Sequence, residues 1–148
     1  MSETRTADRG WQILRPIIGL HVAVYRASRG RVGHRVRGTP PMLLLEHTGA
    51  RSGVRRTAPL GYLRDGDNLV IVASKGGHAR NPAWFHNLRA HPDVTVRLGS
   101  EQRNVRARVA EPAERERLWP KVVELYSGYA DYQRRTQREI PLLILEPR

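Results

Sequence analysis

The sequence contains no cysteine. That removes disulfides, thiolate nucleophiles, cysteine-ligated zinc and iron–sulfur clusters from consideration. It agrees with a reducing cytoplasm, since a chain of 148 residues can build a core without covalent staples. Long apolar runs are also missing. The stretch from Ile17 to Tyr25 is interrupted by Gly19 and His21. It reaches about half the length that a membrane-spanning helix needs, and it lacks a secretory cleavage pattern. Carboxylates are few, 14 against 26 basic residues, and unpaired in the candidate ligand loops, which disfavours glycosidase and magnesium chemistry. His78, His86 and His91 have no zinc spacing, so no metal site is expected. No nucleophile elbow surrounds Ser52 or Ser74, and there is no dinucleotide fingerprint. If the chain is an enzyme, a cofactor must bring the reactive group.

Arginine is what the chain has in excess. The net charge is +12, and residues 1–40 hold eight arginines against Glu3 and Asp8. Nucleic acid, anionic lipid and an acidic small molecule all suit such a charge. An arginine-rich coding bias explains it equally well, because Lys75 and Lys121 are the only lysines. A nucleic-acid-binding module is the weakest of these readings, since no aromatic residues interleave with the basic run. Trp11, Leu14, Ile18, Val22 and Tyr25 recur at helical spacing. Residues 1–40 are therefore expected to be a basic amphipathic helix and linker, suited to peripheral contact with an anionic membrane at its inner face.

Residues 41–148 read as one structural domain. Strands are expected at Met42–Glu46, Arg56–Arg64 and Asn68–Ala73, the last two joined at Asp65-Gly66-Asp67. Asn81-Pro82 should open a helix, with Asn81 as N-cap, that runs to about Ala90. Val94, Val96 and Leu98, then Val105, Ala107 and Val109, alternate with polar residues and form a second hairpin around Gly99-Ser100. Pro112 starts a helix in which Pro120 predicts a break near Trp119, and Leu142–Leu145 closes the chain. Hairpins outnumber crossovers, so the expected class is α+β: an antiparallel barrel of about six strands with flanking helices and an N-terminal helix.

Three segments hold the candidate chemistry. Ser74-Lys75-Gly76-Gly77 follows a strand; its glycines let backbone N–H groups approach an oxyanion, yet Gly-Gly after a strand is also an ordinary turn. Thr48-Gly49-Ala50-Arg51-Ser52-Gly53, followed by Arg55-Arg56, suits a polyanion, although cations in loops commonly just face solvent. Tyr126, Tyr129 and Tyr132 stand three residues apart and would share a helical face, as ligand wall or as packed aromatic face. Trp84 and Asn87 pose the same choice.

These blocks taken together resemble the deazaflavin-dependent nitroreductase family. The matching runs are Leu43 through Thr48-Gly-Ala-Arg-Ser-Gly, Leu63-Arg-Asp-Gly-Asp, Ala73-Ser-Lys-Gly-Gly, Asn81-Pro-Ala-Trp-Phe-His-Asn-Leu, Ala90-His-Pro-Asp-Val-Thr-Val, Tyr126-Ser-Gly-Tyr-Ala-Asp-Tyr-Gln and Arg138-Glu-Ile-Pro. The resemblance implies a split β-barrel that binds coenzyme F420 and passes hydride from its reduced form to quinones, nitroaromatics or other activated acceptors. By motif, Ser74, Lys75, Gly76 and Gly77 would hold the cofactor phosphate. Arg51, with Ser52 and Arg56, would meet its acidic tail. Trp84 and Asn87 would line the deazaflavin. Tyr126, Tyr129 and Tyr132 would wall the substrate side, with Tyr129 as the catalytic candidate that orients or protonates the acceptor. Relatives commonly carry a basic residue where this chain has Ala50, which weakens the expected tail contacts. Related barrels often dimerise, so a homodimer is also expected. A flavin mononucleotide or haem in the same barrel is the alternative ligand.

Overall fold

A computed structural model describes Leu20, residues 22–26 and residues 40–148. Leu20 and residues 22–26 are helical (α1); the rest of the expected N-terminal helix, and the linker up to residue 39, lie outside the described residues. Six strands follow: β1 (Met42–Thr48), β2 (Arg55–Asp65), β3 (Asn68–Val72), β4 (Asp93–Leu98), β5 (Glu101–Val109) and β6 (Leu142–Pro147). They close a barrel in the order β1-β2-β3-β6-β5-β4, with every neighbouring pair antiparallel. The expected six-stranded α+β barrel is the one that forms.

Alternation explains the walls. In β4, Val94, Val96 and Leu98 turn inward and Thr95 and Arg97 outward. In β3 and β6 the apolar runs Leu69–Val72 and Leu142–Leu145 are unbroken because both faces are covered. Leu69, Ile71, Leu143 and Leu145 pack inside the barrel with Leu43, Leu45 and Val96. Val70, Val72, Leu142 and Ile144 pack outside, under two helices, α3 (Pro112–Leu125) and α4 (Gly128–Arg134), with Leu118, Val122 and Tyr129. Helix α2 (Ala83–Ala90) adds Trp84, Phe85 and Leu88 to the inner cluster. Each large apolar side chain so enclosed contributes about 1.5–3 kcal/mol. Tyr25 of α1 is fully buried and docks that helix: its hydroxyl accepts from the Gly99 N–H at 2.7 Å and faces the Met42 and Arg97 carbonyls at 3.2 and 3.3 Å.

Three local expectations are corrected. Helix α2 starts one residue later than expected: Pro82 is the N-cap, and the Asn81 side chain accepts from Arg138 instead of capping the helix. Helix α3 continues through Pro120. Pro120 and Glu116 are both exposed, so the missing hydrogen bond falls on the wet side of the helix, where it costs least. Val109, expected on the buried face of β5, is 41 % exposed near the strand end.

Candidate functional site

The segment after β3 turns sharply. Lys75, Gly76 and Gly77 all have positive φ (44, 62 and 82°), forming one 3-10 turn. Glycine occupies two of these positions without strain; Lys75 is the one non-glycine residue in this conformation among the described residues. The turn closes with hydrogen bonds from Gly77 N–H to Ser74 O (2.9 Å) and from His78 N–H to Lys75 O (3.1 Å), so neither uses the N–H of Gly76. Gly76 is exposed, with open space where a side chain would stand. Gly77 is buried: a Cβ there would lie 2.6 Å from the Tyr132 carbonyl oxygen, so the turn rests directly on α4. Ser74 is buried beside it.

The Gly49–Gly53 turn that joins β1 to β2 is built differently. Two backbone bonds close it, Gly49 N–H to Val54 O (2.9 Å) and Gly53 N–H to Gly49 O (3.0 Å). The Ser52 hydroxyl accepts from the Val54 N–H at 3.2 Å, a turn-stabilising contact. The turn is tied to α2 by Asn87, whose Oδ1 accepts from the Ala50 N–H at 2.8 Å. That bond fixes the amide's orientation, so its Nδ2 donates to His47 Nδ1 at 3.0 Å, and His47 carries its proton on Nε2. Burial, aided by the Arg56 charge, lowers the His47 pKa and keeps it neutral. Arg51 and Arg56 are exposed and form no ion pair among the described residues, whereas Arg55 and Arg26 share Glu46.

The two loops are brought together by α2. Asn81, just before the helix, joins the Ser74–His78 segment through Arg138, and Asn87, in its second turn, holds Ala50. Six residues of mostly helical rise separate these anchors by about 9 Å. Trp84 is buried in the inner cluster between them.

The tyrosines do meet, but not as one helical face. Tyr126 ends α3 in extended geometry (φ −150°), and Tyr129 and Tyr132 belong to α4. The three rings pack edge to face, with centroids 5.1–6.3 Å apart. Tyr126 and Tyr132 are half-buried and their hydroxyls lie 3.4 Å apart. The Tyr126 contact and burial push the Tyr132 pKa up to about 12. Tyr129 is buried in the outer cluster. A Cβ on Gly61 would come within 2.9 Å of its hydroxyl, so that glycine makes room for the phenol. Burial first, then its two tyrosine neighbours, raises the Tyr129 pKa above that of an ordinary phenol, and the group stays protonated.

Sequence comparison converges with this geometry. The family profile described as F420H(2)-dependent quinone reductase matches residues 18–147. The chain belongs to that family. The expected enzyme class, a deazaflavin-dependent oxidoreductase, and the expected cofactor, coenzyme F420, are those of the family. An F420H(2)-dependent quinone reductase of Mycobacterium tuberculosis is 47 % identical over 142 residues, covering 94 % of this chain and 93 % of the relative. A solved structure described as an F420-H2 dependent reductase (FDR-A) is 41 % identical with a TM-score of 0.66, covering 72 % of this chain and 94 % of that one. Another, described as a domain-swapped dimer, is 36 % identical with a TM-score of 0.69, covering 88 % and 99 %.

The residues present fit a phosphorylated, polyacidic cofactor. A left-handed turn leaves open space at Gly76, and Arg51 within the second loop and Arg56 just after it are exposed, with no ion pair among the described residues. Among the described residues no cluster of acidic, histidine or cysteine side chains is arranged to hold a metal ion. Two participants escaped the sequence reading. Arg138, visible only as part of a matching block, ties the first loop down, and His47 backs Asn87.

Proposed function

We propose that the chain transfers a hydride from reduced F420 to quinones and, with the same site, to nitroaromatics or other activated acceptors. The observation that carries this is a left-handed Lys75–Gly77 turn and an arginine-bearing Gly49–Gly53 turn, both tied to the α2 segment, in a chain of the F420H(2)-dependent quinone reductase family. When bound, the reduced deazaflavin supplies the hydride; the chain's own residues bind, orient and exclude water.

In this reading Ser74, Lys75, Gly76 and Gly77 hold the phosphate. Backbone N–H groups and an ammonium act together there as they do in other anion nests. Arg51 and Arg56 meet the tail carboxylates as mobile cations. Ser52 contributes by shaping that loop, and Asn87 by fixing it. Trp84 stiffens the floor on which the ring would lie. Tyr126 and Tyr132 offer hydroxyls to the acceptor. Tyr129 packs edge to face against both, and its raised pKa suits a hydrogen-bond donor that orients the acceptor better than an acid that releases its proton. The proton comes from solvent after the hydride step, once the site reopens to water.

Two features extend the reading. The basic composition of residues 1–40 supports peripheral contact with an anionic membrane, where a lipid-soluble quinone is met. Among the described residues no helix is long and apolar enough to cross a membrane. A dimer is supported by the solved relative described as a domain-swapped dimer. Sedimentation with anionic liposomes and light scattering test these separately.

The activity is tested by mixing the protein anaerobically with reduced F420 and a panel of quinones and nitroaromatics, following the return of the oxidised deazaflavin absorbance. Turnover with at least one quinone is expected, and Tyr129→Phe should lower it about 10-fold or less. Absence of turnover with every acceptor, by a protein that still binds F420, overturns the proposal.

A further inference from the structure

Arg138 lies in the segment between α4 and β6 and is half-buried. Its guanidinium donates from Nε to His78 O (2.9 Å), from Nη1 to Ala73 O (3.1 Å) and Asn81 Oδ1 (2.8 Å), and from Nη2 to Ser74 O (2.8 Å). All four acceptors are neutral. Among the described residues no carboxylate pairs with it, and the adjacent Glu139 lies 3.5 Å from Arg115 instead. The chemistry is unusual, because a partly desolvated cation normally recruits a carboxylate.

The arginine is itself held in place. Gln133 of α4 donates to the Arg138 carbonyl at 2.8 Å and accepts from the Ile140 N–H at 2.9 Å. Arg115 of α3 donates to the Ile140 carbonyl at 3.1 Å and to Gln133 Oε1 at 3.3 Å. The helix that carries Tyr129 and Tyr132 therefore braces the loop before α2 through one arginine. In a trans peptide the C=O and the following N–H point in opposite directions. Drawing the Ala73 and Ser74 carbonyls onto Arg138 thus turns the N–H groups of Ser74 and Lys75 away from it.

We propose that Arg138 is a positioning residue for the cofactor phosphate, fixing the Ser74–His78 loop in its anion-ready shape and leaving one uncompensated positive charge beside it. The inference rests on the reading of that loop as the phosphate site. An arginine does here what a neutral donor cannot: its fork reaches four oxygens and adds a charge that the arriving phosphate neutralises.

The test compares two ligands, F420 and a deazaflavin with the ring and ribityl chain but no phosphate or acidic tail. Each is titrated by tryptophan quenching into the wild type, Arg138→Gln, Arg138→Lys and Lys75→Ala. Arg138→Gln should weaken F420 about 10- to 100-fold and leave the phosphate-free ligand within about twofold. Arg138→Lys keeps the charge but loses the fork, and should fall between wild type and Arg138→Gln for F420 alone. Equal weakening of both ligands, or of neither, overturns the inference. If Arg138→Gln does not fold, the lysine variant decides by the same criterion. Lys75→Ala separates the two levels. If it leaves F420 affinity unchanged, the loop is not the phosphate site. If it selectively weakens F420 while both Arg138 variants bind like wild type, the loop reading stands and only the role of Arg138 fails.

Discussion

The two loops tied to the α2 segment, both proposed to meet negative charge, are built in opposite ways. The Ser74–His78 loop is fixed by backbone: three consecutive left-handed residues, a buried glycine against α4, and an arginine on four oxygens. The Gly49–Gly53 turn is hung from one amide, Asn87, and sends Arg51 into solvent. The first arrangement suits a compact anion at a set position, since its donors do not move. The second suits a tail of variable length, since flexible guanidinium groups can follow it. In the proposed reading this gives a fixed anchor for the phosphate and a tolerant one for the tail, as holding the ring at near-attack distance requires.

The contrast can be broken most sharply at Gly77. Gly77→Ala puts a Cβ at φ +82° and 2.6 Å from the Tyr132 carbonyl oxygen, and should cost about 2–4 kcal/mol of stability, read as a lower midpoint in thermal or urea unfolding. Gly76→Ala meets open space. It should cost about 1–2 kcal/mol, with most of its effect in F420 affinity.

Next comes the hinge of the second loop. Asn87→Ala strands the Ala50 N–H and the His47 acceptor, and should cost about 1–3 kcal/mol while raising hydrogen exchange in residues 49–54. Acid should act on the same contact. Because the folded-state pKa of His47 lies below its ordinary 6.5, the stability given by neutral His47 is complete above that pH. It declines as the pH falls through the lowered value, where His47 protonates and loses its acceptor. Thermal midpoints measured downward from neutrality should fall, and His47→Phe should flatten that dependence.

The smallest effect sharpens the comparison from the other side. Arg51→Ala with Arg56→Ala should leave unfolding unchanged, because both side chains are exposed. It should weaken F420 by about 0.2–1 kcal/mol per arginine at low salt, and the difference should shrink as ionic strength rises. The effect of Lys75→Ala, at the fixed loop, should depend on salt much less.

Strand positions were legible from alternation, and the barrel from the succession of hairpins, because period-2 patterning and turn residues are local signals. That β3 and β6 are covered on both faces shows only once the barrel has closed and its helices have docked. What could not be read were choices made by tertiary partners. Asn81 is a good N-cap by type, but a guanidinium competes for its oxygen and wins. Pro120 breaks helices by rule, yet here its lost bond faces water. The three tyrosines were expected on one helical face; they converge across a break at Tyr126 because the rings pack on one another. Arg138 and His47 carried no local signal, since an arginine on neutral carbonyls and a neutral histidine behind an asparagine are defined only once the chain has closed.

The most direct measurement is the backbone amide spectrum of the labelled protein titrated with oxidised F420 and, separately, with the phosphate-free deazaflavin. We expect the amide resonances of Ser74, Lys75 and Gly76 to shift with F420 and to stay in place with the phosphate-free ligand, while residues 50–56 move gradually and salt-dependently with F420. If F420 binds and shifts other amides while those of Ser74, Lys75 and Gly76 do not move, the fixed loop is not the phosphate site and the division between the two loops is wrong.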